Sequence, residues 1–190
     1  MDPEDEASQI KIKNVIDMAI GFSAMTRVFE KGSKQKIAGK LEYSLGLLSG
    51  VDSKGDFEKI HSEFCEWFVK NICTSKKDLE NKNSKAASYG QAAKLFNIAA
   101  KVYVYYCQIP GCEATAKLLP MLHAAVDTVM MADLRNKYPK MNFKAATIEA
   151  VGKSEYATLQ ELIMKNIEDE FMNLILPIQY EDITWYRLNR

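Results

Sequence analysis

Apolar residues recur along this chain at intervals of three and four, the spacing of an α-helix with one buried face. Ile12, Val15, Ile16, Ala19 and Phe22 mark a first helix, expected from about Glu4 to Met25, with Pro3 in the first turn that tolerates it. After Lys31-Gly32-Ser33, the stripe Ile37, Leu41, Leu45 and Leu48 gives a second helix ending at Gly50. Ser53 to Asp56 offers capping chemistry, and Phe57, Ile60, Phe64, Phe68 and Ile72 predict a third helix over 56–73.

Residues 74–87 are rich in Lys, Asn, Asp and Ser and read as a solvated connector. A fourth helix spans about 88–108 and stops at Pro110-Gly111. A fifth runs from Cys112 to Arg135, with either a kink or a handover at Pro120. A second polar connector, 136–142, precedes a short helix near 143–151. Ser154 then caps a helix carrying Tyr156, Leu159, Ile163, Ile167 and Phe171. Pro177 closes that region, and the tail with Trp185, Tyr186 and Leu188 is expected to add a last turn or two. No segment sustains strand alternation, because the brief Ile10-Lys11-Ile12-Lys13 pattern lies within a helical stripe. The expected fold is therefore all-α: a single-domain bundle of about six to seven helices with a central antiparallel helical hairpin (88–108 / 112–135).

Charge narrows the function classes. Lys plus Arg equals Asp plus Glu at 25 each, so attraction to nucleic acid or an anionic membrane would need a local patch. The longest apolar run, 118–132, is broken by Pro120, His123 and Asp127 and falls short of the roughly 20 residues a bilayer crossing requires. No membrane partner is expected. Four cysteines set in helical patterns and an acidic N-terminal stretch without signal-peptide character point to a reducing cytoplasm.

The chemistry-bearing residues gather on the fourth and fifth helices. Lys94, Asn97 and Lys101 share a narrow side of the fourth, while Ser88, Gly90 and Gln91 at its start are compatible with an anion-binding helix terminus. On the fifth, His123 and Asp127 stand four residues apart, where a carboxylate could orient an imidazole. That helix has no polar side and reads as interior, so Asp127 needs a partner, and the hairpin register nominates Lys94. His61 and Cys65, also four apart, have metal-ligand spacing, but without a Cys-x-x-Cys pair ordinary buried side chains are the expectation.

Dinucleotide, phosphate-loop, zinc-protease and nucleophile-elbow motifs are absent. The expected function is that of a non-catalytic helical binding or protein-interaction protein, able to self-associate through apolar helix faces, with no cofactor and no metal. One alternative is an enzyme or effector that holds a phosphate-bearing ligand through the Lys/Asn/His/Asp cluster. A second is a nucleic-acid-binding module using Lys70, Lys76, Lys77, Lys82 and Lys85.

Overall fold

The computed structural model describes residues 2–77, 84–141 and 143–189. Eight α-helices are present among them: α1 (Pro3–Phe22), α2 (Ser33–Gly46), α3 (Lys54–Asn71), α4 (Tyr89–Ala100), α5 (Cys112–Leu118), α6 (Thr128–Lys137), α7 (Lys153–Phe171) and α8 (Pro177–Leu188). The fold is all-α, with one small two-stranded sheet, β1 (Cys73–Lys77) and β2 (Ser84–Ala86).

Local chemistry sets the helix starts. Asp2 caps α1, its carboxylate accepting from Glu4 N with Pro3 at the first helical position. A capping box closes α3: Ser53 Oγ accepts from Asp56 N at 3.2 Å, and Asp56 accepts from Ser53 N at 3.0 Å. Ser88 and Gln91 repeat the device on α4. The buried stripe of α3, Phe57, His61, Phe64, Cys65 and Phe68, meets α4 through Phe96, whose ring centroid lies 5.2 Å from that of Phe64.

The segment expected to be a solvated connector at 74–87 is in part structured. β1 and β2 pair antiparallel, Cys73 opposite Ala86, and Thr74 bridges to Phe29. Residues 78–83, including Leu79 and Lys82, lie outside the described residues. Polar composition masked these strands because backbone pairing, rather than side-chain burial, holds a short ribbon.

Helix α4 is nearly enclosed, with ten of its residues buried from Tyr89 to Ala100. It continues as π-helical turns over Lys101–Tyr106, where Cys107 N reaches back to Val102 O at 3.0 Å. The larger departure follows Pro110. The expected fifth helix, 112–135, is two helices joined by a buried extended segment. α5 tightens into a 3₁₀ turn over Leu119–Met121, Leu122 turns to extended geometry, and α6 starts only at Thr128. Pro120 removes an amide donor from the last turn, and Asp127 caps the next helix by accepting from Met130 N at 2.8 Å. The second arm of the expected hairpin thus enters the interior as extended chain.

An extended segment buried without a sheet partner leaves backbone groups that side chains must satisfy. Ala124 O accepts from Asn97 Nδ2 at 2.9 Å and from Gln160 Nε2 at 3.0 Å. Ala125 N donates to Glu181 Oε2 at 2.7 Å. Helices α4, α7 and α8 therefore grip residues 124–125 from three sides. The polar residues within these apolar helices exist in part for that purpose.

Candidate functional site

The extended segment carries His123 to a polar cluster formed with α3, α4 and α7. His123 Nε2 lies 2.8 Å from Glu58 Oε1, and its Nδ1 lies 2.8 Å from the Tyr156 hydroxyl. That hydroxyl also stands 3.1 Å from His61 Nε2 and accepts from Asn97 Nδ2 at 2.9 Å. His61 and Tyr156 stack, their ring planes 14° apart. Tyr89 and Phe96 close the apolar side against the His61 ring.

Burial grades the site. His61 is 1% exposed and His123 8% exposed, whereas the Glu58 side chain keeps 44% of its surface. Burial pushes the His61 imidazole down to about 3, with the neighbouring His123 acting in the same direction. The hydrogen bond from His123 holds the Glu58 carboxyl below its ordinary range against a smaller opposing effect of burial. Burial carries the Tyr156 phenol well above its ordinary value, so it remains a hydroxyl.

These constraints leave one arrangement of protons when both imidazoles are neutral. The Glu58 carboxylate only accepts, so His123 Nε2 carries the proton and Nδ1 accepts from Tyr156. Tyr156 then has no proton left for His61, whose Nε2–H must donate to it. A proton placed on His123 Nδ1 would turn the Tyr156 hydroxyl toward His61 and shift that ring's proton to its other nitrogen. The cluster is thus a hydrogen-bond chain with two directions, ending at a half-exposed carboxylate.

A cleft of about 890 Å³ opens on this chain, lined by α3 on one side and α7 on the other. Glu58, His61, His123 and Tyr156 contribute to its wall, Leu122, Ala157, Met164 and Pro177 supply apolar surface, and Lys54, Lys59 and Glu161 supply charge. The carboxylate of Glu58 and the imidazoles of His61 and His123 place one donor atom each within 4.8 Å of one another, a set able to hold a metal ion. Cys65, paired with His61 by spacing in the sequence, puts its sulfur 3.9 Å from His61 Nδ1. Burial drives that thiol far above its ordinary range, so it is neither an anionic ligand nor a nucleophile at neutral pH.

The remaining sequence candidates do not join this cleft. Ser88, Gly90 and Gln91 are occupied by the α4 cap and its docking: Ser88 Oγ donates to Ile148 O, Gly90 N donates to Val151 O, and Gln91 Oε1 accepts from Ser88 N. A Cβ on Gly90 would come within 2.5 Å of Val151 Cβ, so glycine is required by close approach. Lys94, Lys101 and Asp127 line a second hollow of about 560 Å³ with Met18, Tyr106 and Trp185.

Among the described residues, Lys94 and Asp127 form no ion pair, which corrects the sequence expectation. Asp127 is half-buried and its carboxylate is engaged as the α6 cap. The buried acid is instead Glu181, 8% exposed, neutralised by Lys101, which also reaches Asp182 at 2.9 Å. Burial opposes charge on Lys101, but the two carboxylates more than offset it and hold the ammonium above its ordinary range. His123 and Asp127 share no helix face, because the backbone between them is extended.

Sequence reasoning did not single out Glu58, Tyr156 or Glu181. Glu58 stands one position beside the apolar stripe of α3 and three before His61, and Tyr156 reads as another core aromatic. Only the placement of residue 123 by the extended segment brings them together. Lys101 has its ammonium committed to two acids. No protein-family model matches this chain, and no curated protein or solved structure was found to be similar to it.

Proposed function

We propose that this protein is a non-catalytic binding protein whose recognition site is the α3/α7 cleft and whose ligand is a small polar molecule. The observation that carries this reading is the Glu58–His123 pair, a charge-assisted hydrogen bond presented at the wall of a cleft sized for such a ligand. Lys54 and Lys59 beside Glu58 and Glu161 favour a ligand bearing both donors and acceptors over a simple anion. The four cysteines are unpaired, which supports work in a reducing cytoplasm. No described helix is long and apolar enough to cross a membrane.

A thermal-shift screen of polar metabolite-sized compounds tests the reading. The expected result is a set of compounds that stabilise the wild type and lose that effect in Glu58→Gln and Lys59→Ala. If no compound shifts the wild type, or if the shifts survive both substitutions, the cleft is not the recognition site.

A second reading, association with a protein partner or a second copy, is favoured by a different face. Trp185 is 56% exposed beside Met18 and Tyr106 at the edge of the second hollow. Light scattering of wild type and Trp185→Ser over a concentration series checks it: a concentration-dependent rise in mass should occur in the wild type alone.

A further inference from the structure

Because the α3/α7 cleft is floored by two imidazoles and a carboxylate, we propose that Glu58, His61 and His123 bind a single divalent transition-metal ion of the zinc class. This inference rests on the reading of that cleft as the recognition site and names an ion held at its floor.

The donor set is the first support. Two imidazoles and one carboxylate form a mixed nitrogen and oxygen set that suits zinc, cobalt or nickel, whereas magnesium and calcium require oxygen ligands throughout. Geometry is the second. The three donor atoms lie within 4.8 Å of one another. Neighbouring ligands of a tetrahedral zinc ion stand about 3.3 Å apart, given bonds of about 2.0–2.1 Å, so closure takes adjustments of up to about 1.5 Å. Glu58 is the half-exposed member and can rotate into place, while the two rings are held by their surroundings.

The third support lies behind the ligands. The Tyr156 hydroxyl contacts His123 Nδ1 and His61 Nε2, and Asn97 Nδ2 fixes that hydroxyl in turn. With the ion on His123 Nε2, the proton of that ring moves to Nδ1 and donates to Tyr156, the outer-shell bond that orients a ligating imidazole, while His61 carries its proton on Nδ1 and its Nε2 exchanges the Tyr156 contact for the ion. The ion replaces the Glu58–His123 hydrogen bond, and its fourth position faces the cleft, open to water or to the polar ligand.

Equilibrium dialysis of the chelator-stripped full chain against Zn²⁺, with Co²⁺ as the spectroscopic probe, tests this. The expected result is one equivalent of Zn²⁺ per chain and a tetrahedral Co²⁺ visible band. Affinity should fall by about 100-fold or more in Glu58→Gln and His123→Gln, and by about 10-fold in Tyr156→Phe. Far-UV circular dichroism confirms that the variants fold, and Glu58→Gln, on a half-exposed side chain, secures the comparison if His123→Gln does not. Absence of uptake overturns the proposal, as does uptake that persists in Glu58→Gln at wild-type affinity, which would belong to the free thiols. The compound screen repeated on chelated protein separates the two readings: compounds that bind through Glu58 without any metal uptake would keep the cleft and remove the ion.

Discussion

The Tyr156 hydroxyl is held by three nitrogens, from His61, His123 and Asn97, and so couples two histidines that never touch through a hydrogen bond of their own. The most burdened of these groups is His61, which the fold keeps neutral because its ring is enclosed by Phe57, Phe96, Tyr89 and Tyr156. Its folded-state value of about 3 lies below the ordinary 6.5, so an unfolded chain binds a proton that the folded chain refuses. The stability it contributes is complete above pH 6.5 and is lost as pH falls from there toward 3, by up to about 1.4 kcal/mol per pH unit. Urea denaturation of the metal-free protein between about pH 7 and about pH 5 should show this decline, and His61→Gln, though less stable throughout, should flatten it. Glu58 does not confuse the measurement, since its lowered carboxyl acts only below its ordinary 4.5. At this scale the sequence was partly legible. His61 and His123 stood out as rare residues on apolar stretches, but their shared partner Tyr156 was indistinguishable from core.

Among the elements, the buried extended segment 122–127 governs how the polar residues are used. An isolated helix satisfies its own backbone, whereas this segment borrows Asn97, Gln160 and Glu181 from three helices. Glu181 in turn requires Lys101, so the ion pair is a consequence of how residue 125 is anchored. Removing the amine by Lys101→Met would leave a buried carboxylate uncompensated, at an expected cost of about 3–5 kcal/mol by chemical denaturation. Glu181→Gln in that background should recover a good part of the loss, since the amide oxygen can still accept from Ala125 N while carrying no charge. The stripes of α1, α2, α3 and α7 were readable because a single buried face imposes its period on the sequence. The run from Leu118 to Ala132 was not, because a segment buried on all sides carries no period, and apolar helix and apolar extended chain then look alike. Pro120 and the cap at Asp127 were the local marks of the break.

For the whole molecule, one continuous apolar cluster joins residues from α1 through α8, and further polar contacts tie α6, α7 and α8 together around Asn166, which bonds Tyr138, Tyr180, Glu170 and Lys137. A shared core of this kind predicts a single cooperative transition. Unfolding in urea followed by tryptophan fluorescence, which reports Trp67 on α3 and Trp185 on α8, should coincide with loss of helical circular dichroism. Separated transitions would divide the chain into independent units. By itself the sequence determined the all-α class, most of the helices approximately and the Ser53–Asp56 cap, since these follow from periodicity and from interactions within a few residues, whereas α7 is capped at Gly152 and not at the expected Ser154. Only the tertiary structure decided that Asn97 on α4 and Lys101, four residues on at the start of its π-helical continuation, serve different clusters, and that Glu58, His61, His123 and Tyr156 converge on one cleft. Those pairings join residues 33 to 95 positions apart, and the extended segment after Pro120 that creates them is set by what the surrounding helices offer to unpaired backbone.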